Sequence, residues 1–322
     1  MSRLYINRKD GGRGLISVED CVKQEELGLH EYVLRTEESI LGVIAGWLDY
    51  GEMTKKQYRR NKDEARKEDL FGKALHGRFF REMDKNSTER SIQWVRGGFL
   101  AKSTEAFVFA SQEQALKTRL AQSKWGGDVS PMCRMCGVES ESVWHVASAC
   151  KVLAQKEYKR RHDRMGLRVY WELCRKYGVK CAGKWFEEVP DKVRKSDDGK
   201  VEIWWDRSVE TAQQVESNRP DVVVVNRDEK KWLIVDFAVP SDRNLTAKEE
   251  EKMTKYSPLA HQIRKLYSVS TSVVPIVVGS LGAVTKRLES GLKELGIPDV
   301  LGGLQTSAII GTTNILRKIL NL

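Results

Sequence analysis

The rhythm of apolar positions changes along the chain. From residue 54 to 83, TKKQYRRNKDEARKEDLFGKALHGRFFREM spaces apolar residues three and four apart among charges, which predicts a surface helix. TEAFVFASQEQALKTRLAQ, at 104–122, predicts a second helix, closed by the glycines and proline of KWGGDVSP. KVLAQKEYKRRHDRMGLRVYWELCRKYG, at 151–178, reads as a long amphipathic helix. Residues 183–200, with EEVPDKVRKSDDGK, read as a polar connector. Beyond it the pattern shortens to β-branched runs. RPDVVVVNRDEKKWLIVDFAVP at 219–240 predicts a hairpin, a helix begins near Asn244, and SVVPIVVGS predicts a further strand. TKRLESGLKEL and TSAIIGTTNILRKIL predict two closing helices. The fold class expected is α/β, with a mostly helical N-terminal half and a C-terminal α/β domain.

The hairpin holds two acids in runs that otherwise favour burial. With the turn centred between Asp228 and Glu229, Asp221 falls directly opposite Asp236 on one face. Two carboxylates so placed repel each other unless a cation sits between them, and they suit one hard divalent ion. A turn one residue longer or shorter would send them to opposite faces. The plainer reading is a pair of surface aspartates at strand ends. Asp221 fits it easily and Asp236, inside WLIVDFAV, fits it less well.

The helix after the hairpin supplies a cation. On a wheel of about 100° per residue, Met253, Tyr256, Leu259, Ala260, Ile263, Leu266 and Tyr267 form one stripe. Glu249 and Lys252 lie within it, and Lys255 at its edge. A buried lysine is costly unless it meets an anion or does chemistry; the alternative is a lysine whose stem lies along the apolar face with its head in water. Pro258 could kink this helix. Two acids and a lysine suit phosphodiester hydrolysis assisted by Mg²⁺ or Mn²⁺. No nucleophile elbow or dinucleotide glycine pattern competes with them.

Residues 133–150 read CRMCGVESESVWHVASAC. A CxxC turn can place Cys133 and Cys136 at adjacent corners of a zinc tetrahedron, with His145 and Cys150 at the others. Four protein ligands leave no open position, so this would be a structural zinc knuckle. Three buried cysteines and an unrelated histidine are the bland alternative. Cys174 and Cys181 have no CxxC partner and read as core residues. The helix that follows carries seven Lys/Arg against two acids from Lys151 to Arg168. Lys159, Arg160, Arg161, His162 and Arg164 on this helix, with Arg219 before the hairpin, are the candidate nucleic-acid contacts.

Composition narrows the setting. A formal charge of +10 favours polyanionic partners. No apolar run approaches the roughly 18 residues of a membrane helix, and the polar, basic start lacks a secretory core. The expectation is an intracellular protein without disulfides and without a membrane partner. No oligomeric state follows from the sequence.

The ordered set of zinc cluster, RRHD and YWELCRKYG, RPD…VDFAVP…KMTKY…VVPIVVGSLGAV…ILRKIL resembles the C-terminal region of non-LTR retrotransposon polyproteins with a restriction-like PD-(D/E)xK endonuclease. RLYINRKDGGRGLISVEDC and TEAFVFASQEQALKTR extend the resemblance upstream, to the segment after a reverse-transcriptase thumb. The resemblance implies a helical linker at 1–125, a CCHC zinc knuckle with its basic helix at 126–182, and a nuclease domain at 183–322. It implies Asp221 and Asp236 as ligands of Mg²⁺ or Mn²⁺. It places the lysine in a K-x-x-K-Y pattern, hence Lys252 or Lys255 with Tyr256 beside them, because Ala238 stands where many such nucleases carry it. The wheel favours Lys252. The implied activity is nicking of target DNA in the nucleus, with a knuckle gripping DNA or element RNA. The alternative is a catalytically inactive nucleic-acid-binding remnant. No polymerase palm is present, and WLDYG at 47–51 is no substitute, so the chain is expected to be a truncated element copy or a gene product beginning at an internal methionine.

Overall fold

The computed structural model describes residues 2–35, 43, 53–83 and 87–321. The WLDYG stretch and part of the expected helical linker lie outside them. The chain forms two compact units, Met1–Arg81 and Glu82–Leu322. Among the described residues, no helix is long and apolar enough to cross a membrane.

In the first unit, helix α1 (Val18–Arg35) packs on α2 (Lys55–Gly72). A reciprocal capping box between Thr54 and Gln57 starts α2. The expected single helix over 54–83 is broken after Gly72. The Arg81 guanidinium collects the carbonyls of Phe71, Lys73 and Ala74, which satisfies backbone acceptors that a continuing helix would have used.

The second unit opens with short helical turns and α3 (Lys102–Gln112). The helix expected to reach residue 122 stops here, where Gln114 takes a positive φ of 57°. Thr118 then caps a separate turn, Arg119–Lys124. The basic segment does form a nearly continuous helix, entering through a π turn at Ala154–Tyr158 and running on as α4 (Lys159–Lys176).

A five-stranded mixed sheet follows, in the order β1 (Val193–Lys195), β2 (Val201–Trp205), β3 (Val222–Asn226), β4 (Lys231–Ala238) and β5 (Ser270–Val277). The first four strands are an antiparallel meander, and β5 returns parallel to β4 after helix α5 (Leu245–Tyr267). Helices α6 (Lys286–Leu295) and α7 (Leu301–Leu320) close the unit. The polar connector at 183–200 is therefore structured. It supplies β1, a short edge strand whose Arg194 and Lys195 suit an edge that must not pair further, and VEIWW beside it is a strand the run-by-run reading passed over.

Both faces of the sheet are covered. Val222, Val224, Leu233, Val235 and Phe237 pack with Met165, Val169, Tyr170 and Leu173 of α4 and with α6 and α7. Val223, Val225, Trp232 and Ile234 pack with Tyr256, Leu259 and Ile263 of α5. This double burial explains the unbroken VVVV of β3, where each fully buried valine contributes roughly 1.5–3 kcal/mol. The boundary expected at 182/183 is not a break in packing, since α4 and the sheet share one core. On α5, Pro258 leaves the helix continuous, while Met253, Leu266 and Tyr267 of the expected stripe are substantially exposed. Tyr267 stacks on Trp232 at 4.6 Å between centroids.

Glu202 of β2 is buried yet charged. Burial raises its pKa, but hydrogen bonds from Arg227, Trp204 and Lys195 outweigh that effect and hold it at about 2. A carboxylate with a depressed pKa stabilises the fold above its ordinary value of 4.5 and loses that contribution as pH falls toward 2. Its cationic partners are exposed, which screens the interaction. Glu202→Gln is expected to cost about 1–2 kcal/mol at neutral pH. Urea titrations of both proteins at matched pH should show that gap closing as pH drops below 4.5.

Candidate metal centre and carboxylate site

The Cys/His cluster forms as expected. One ligand atom from each of Cys133, Cys136, His145 and Cys150 lies within 4.8 Å of the others, so the group could hold a zinc ion. The CxxC turn closes through Gly137, whose N–H donates to the Cys133 carbonyl at 2.8 Å and whose φ of +67° favours glycine. Backbone N–H groups of Glu139 and Val138 donate to Cys136 Sγ and pull its pKa down to about 6. Burial pushes the Cys150 thiol up to about 11. Histidine and Cys150 are five residues apart, which an α-helix would set roughly 140° apart around its axis. A π turn over His145–Ala149, closed by Cys150 N–H to the His145 carbonyl at 2.9 Å, brings them to one side instead. His145 Nε2 lies 3.3 Å from Cys136 Sγ, and its Nδ1 lies 3.2 Å from Glu139. That pairing orients the ring as metal-bound imidazoles are commonly oriented.

Buried polar side chains dock this cluster onto the sheet. Glu141 accepts from the backbone N–H of Arg119 and Arg134 and from the Arg134 guanidinium, which also donates to the Ile319 carbonyl at the end of α7. Arg161, on α4, is 3% exposed. It donates to the carbonyls of Ala147 and Val239 and to the Thr312 hydroxyl, at 2.8, 3.0 and 2.7 Å. Burial lowers its pKa to about 10, which leaves it charged at neutral pH. Arg161 is thus spent inside the protein, and its expected place among the nucleic-acid contacts is corrected. Lys159, Arg160 and Arg164 are exposed; Arg160 pairs with Glu157. Arg219 is exposed and held by Asp206.

The hairpin has the expected register. Val222 pairs with Val235 around a turn centred between Asp228 and Glu229, so Asp221 enters β3 opposite Asp236 of β4. Asp236 shares the α5-facing side with Trp232 and Ile234 and is 2% exposed. Tyr256 donates its hydroxyl hydrogen to Asp236 Oδ1 at 2.7 Å. Burial, and then the Asp236 charge, lift the Tyr256 pKa well above the ordinary phenol range, so it remains a donor. Lys252, one turn earlier on α5, forms an ion pair with Asp236 Oδ2, yet that buried oxygen accepts no aligned hydrogen bond. Lys255 is exposed and lies over the Tyr256 ring, with Nζ 4.6 Å from its centroid. Of the two lysines, Lys252 is the one at the carboxylates.

His162 joins this site, a placement that the reading of it as a nucleic-acid contact did not foresee. Its Nε2 lies 3.2 Å from Asp221 Oδ2 and its Nδ1 3.0 Å from Asp163, and its ring meets Phe237 edge-on. Burial disfavours the imidazolium, but the two carboxylates outweigh burial and raise its pKa to about 9. Asp221 also accepts from the Phe237 N–H at 2.7 Å; burial raises its pKa, and the His162 contact more than reverses this. The signal was present in the sequence. His162 stands three and four residues before Met165 and Gly166, on the helix face that meets the sheet. Gly166 makes that approach feasible, because a Cβ there would sit 2.7 Å from the Phe237 ring.

A cleft of about 1080 Å³ runs from His145 and Ser148 past Lys159 and His162 to Lys252. Lys159 and Arg243 add positive charge along it, whereas Lys248 is paired with Glu251 and His145 with Glu139 on the same lining. No protein-family model matches this sequence, and no curated protein is significantly similar to it.

The cluster generates a direct prediction. The purified chain should carry one zinc per molecule by elemental analysis. Cys150→Ser should lose that zinc and several kcal/mol of stability, because binding energy of a site absent from the unfolded chain is folding energy. Full zinc retention by Cys150→Ser would remove Cys150 from the ligand set.

Proposed function

We propose that the chain is a divalent-metal-dependent DNA endonuclease, whose Cys/His cluster and basic helix hold nucleic acid beside the site of cleavage. The observation that carries this reading is Asp236: a carboxylate in the centre of a buried strand, with one oxygen fixed by Tyr256 and the other lacking an aligned hydrogen bond. That oxygen, with Asp221 across the hairpin, is a donor set suited to Mg²⁺ or Mn²⁺, which prefer oxygen ligands. When bound, such an ion supplies positive charge to the scissile phosphate. The remaining roles fall to the protein. Tyr256 fixes the orientation of Asp236, and His162 with the Phe237 N–H fixes that of Asp221. Lys252, 13% exposed, offers its ammonium to charge that develops on the phosphate oxygens, where a partly desolvated cation acts more strongly than in water. Lys159 and Arg243 would guide the strand through the cleft. The resemblance to retrotransposon endonucleases makes target DNA the expected substrate and the nucleus the expected place of action.

A second reading, a nucleic-acid-binding module without activity, is favoured by one observation. Each acid already has a cationic partner, Asp221 in His162 and Asp236 in Lys252, so the pocket is compensated without a metal ion.

Nicking of supercoiled plasmid by the zinc-loaded chain separates the two. The nuclease should nick only with Mg²⁺ or Mn²⁺. Asp236→Asn and Lys252→Met should each lower the rate by about 10²–10³-fold, with binding in a gel shift changed little. Lys255→Ala should stay within about twofold, since Lys255 does not reach the carboxylates. Wild-type protein that binds DNA and never nicks it would favour the binding module.

A further inference from the structure

Asp221 opens, with His162, onto a second cleft, of about 850 Å³, on the side of the segment 185–190. Lys159 and His162 line both clefts, so the two adjoin at His162, beside Asp221. The wall of the second is unlike that of the first. Phe186 is 56% exposed and stands edge-on to Trp185, with centroids 5.8 Å apart and planes at 86°. The guanidinium carbons of Arg164 and Arg168 each lie 5.3 Å from the Trp185 centroid, and Lys184 Nζ lies 5.6 Å from that of Phe186. Trp185 is thus held by arginines, and it in turn sets the angle of the phenyl ring beside it. Four carboxylates also line this cleft, each with a cationic partner: Asp163 and Asp221 face His162, Glu188 pairs with Arg194, and Asp206 with Arg219 and Lys192; beside it Glu187 pairs with Lys184.

An exposed ring with Lys184 over it and Arg164 on its neighbour Trp185, next to the proposed site of phosphate chemistry, fits a nucleobase. The bases of a duplex stack on one another, with only the last pair offering a free face. An unpaired base has both faces free, and stacking on an aromatic side chain tolerates any base. Arg164 and Lys159 are exposed and placed for the phosphates on either side. We propose that Phe186 is a stacking platform for an unpaired base of the DNA strand being cut, one side of the scissile phosphate, and that Trp185, Arg164 and Arg168 hold it in place. The substrate class is then a DNA strand with unpaired nucleotides beside the cut. The inference rests on the nuclease reading for its scissile phosphate, but its binding test does not depend on cleavage.

The test uses fluorescence anisotropy of the zinc-loaded full chain without added Mg²⁺ or Mn²⁺. The probes are a labelled single strand, a blunt duplex, and a duplex with an unpaired tail. Phe186→Ala is expected to weaken binding of the single strand and the tailed duplex roughly tenfold, and that of the blunt duplex less than about twofold; Phe186→Trp should restore both. Phe186 is exposed, so the variant should fold, which circular dichroism would check. Equal weakening on all three probes, or none, would overturn the platform. Plasmid nicking keeps the two readings apart. Tail-specific loss in a chain that never nicks leaves the platform and removes the nuclease. Nicking by a chain whose binding ignores Phe186 does the reverse.

Discussion

Burying Asp236 is the constraint that organises the second unit. A lone carboxylate in the middle of β4 would cost several kcal/mol, so another element must meet it. That element is α5, and it answers with Tyr256 and Lys252, four residues apart and therefore one turn above the other on the same face. The polar contact fixes the rotation of α5 about its axis, while Leu259, Ala260 and Ile263 fix its distance from the sheet. Stability alone does not account for the arrangement. A well-packed apolar pair of similar volume is often as stable as a buried ion pair, whereas removing one partner commonly costs about 3–5 kcal/mol. The charge of an acid at such a position is the physical core of the nuclease proposal.

Arg161 extends the same logic to the Cys/His cluster. Its guanidinium spans the π turn at Ala147, the end of β4 at Val239 and α7 at Thr312. Gly311 leaves room for it, since a Cβ there would stand 2.6 Å from Arg161 Cγ. The cluster and the end of β4 are thus tied by one buried cation. A shift of the π turn that carries His145 and Cys150 would be felt at Val239, three residues beyond Asp236. The basic helix therefore has two faces with different work: Lys159, Arg160 and Arg164 look to solvent, and Arg161 and His162 look inward.

Most of the second unit was legible because its signals are local. The hairpin register followed from the turn, the grouping of Cys133, Cys136, His145 and Cys150 from CxxC and a following histidine, and the placement of Lys252 rather than Lys255 beside Asp236 from helical periodicity. What escaped depends on distant partners. The sequence RRHD marks positive charge but not which residue faces the sheet; that depends on Gly166 letting α4 approach Phe237. β1 was hidden because an edge strand needs charge where an inner strand needs apolar side chains. Met253 and Leu266 read as core because a wheel reports direction only, and at those positions there is nothing for α5 to pack against. The long helices foreseen at 54–83 and 104–122 broke where Arg81 and Gln114 divert the backbone, which periodicity does not record.

The Cys/His cluster and the carboxylate pair also differ in how they relate to folding. The carboxylates are compensated by the protein, with His162 on Asp221 and Lys252 on Asp236. A divalent cation arriving there would replace attractions already present, so its net effect on stability should be small even where its effect on chemistry is large. The Cys/His cluster has no such compensation. Backbone N–H groups draw the Cys136 pKa down to about 6, while burial pushes that of Cys150 up to about 11. A zinc ion resolves that conflict by drawing every thiol to its ionised form. Metal binding at the Cys/His cluster would therefore be coupled to folding, whereas a divalent ion at the carboxylates belongs to the nuclease proposal alone. The buried side chain of Arg161, joining the first to the second, is where the two requirements meet.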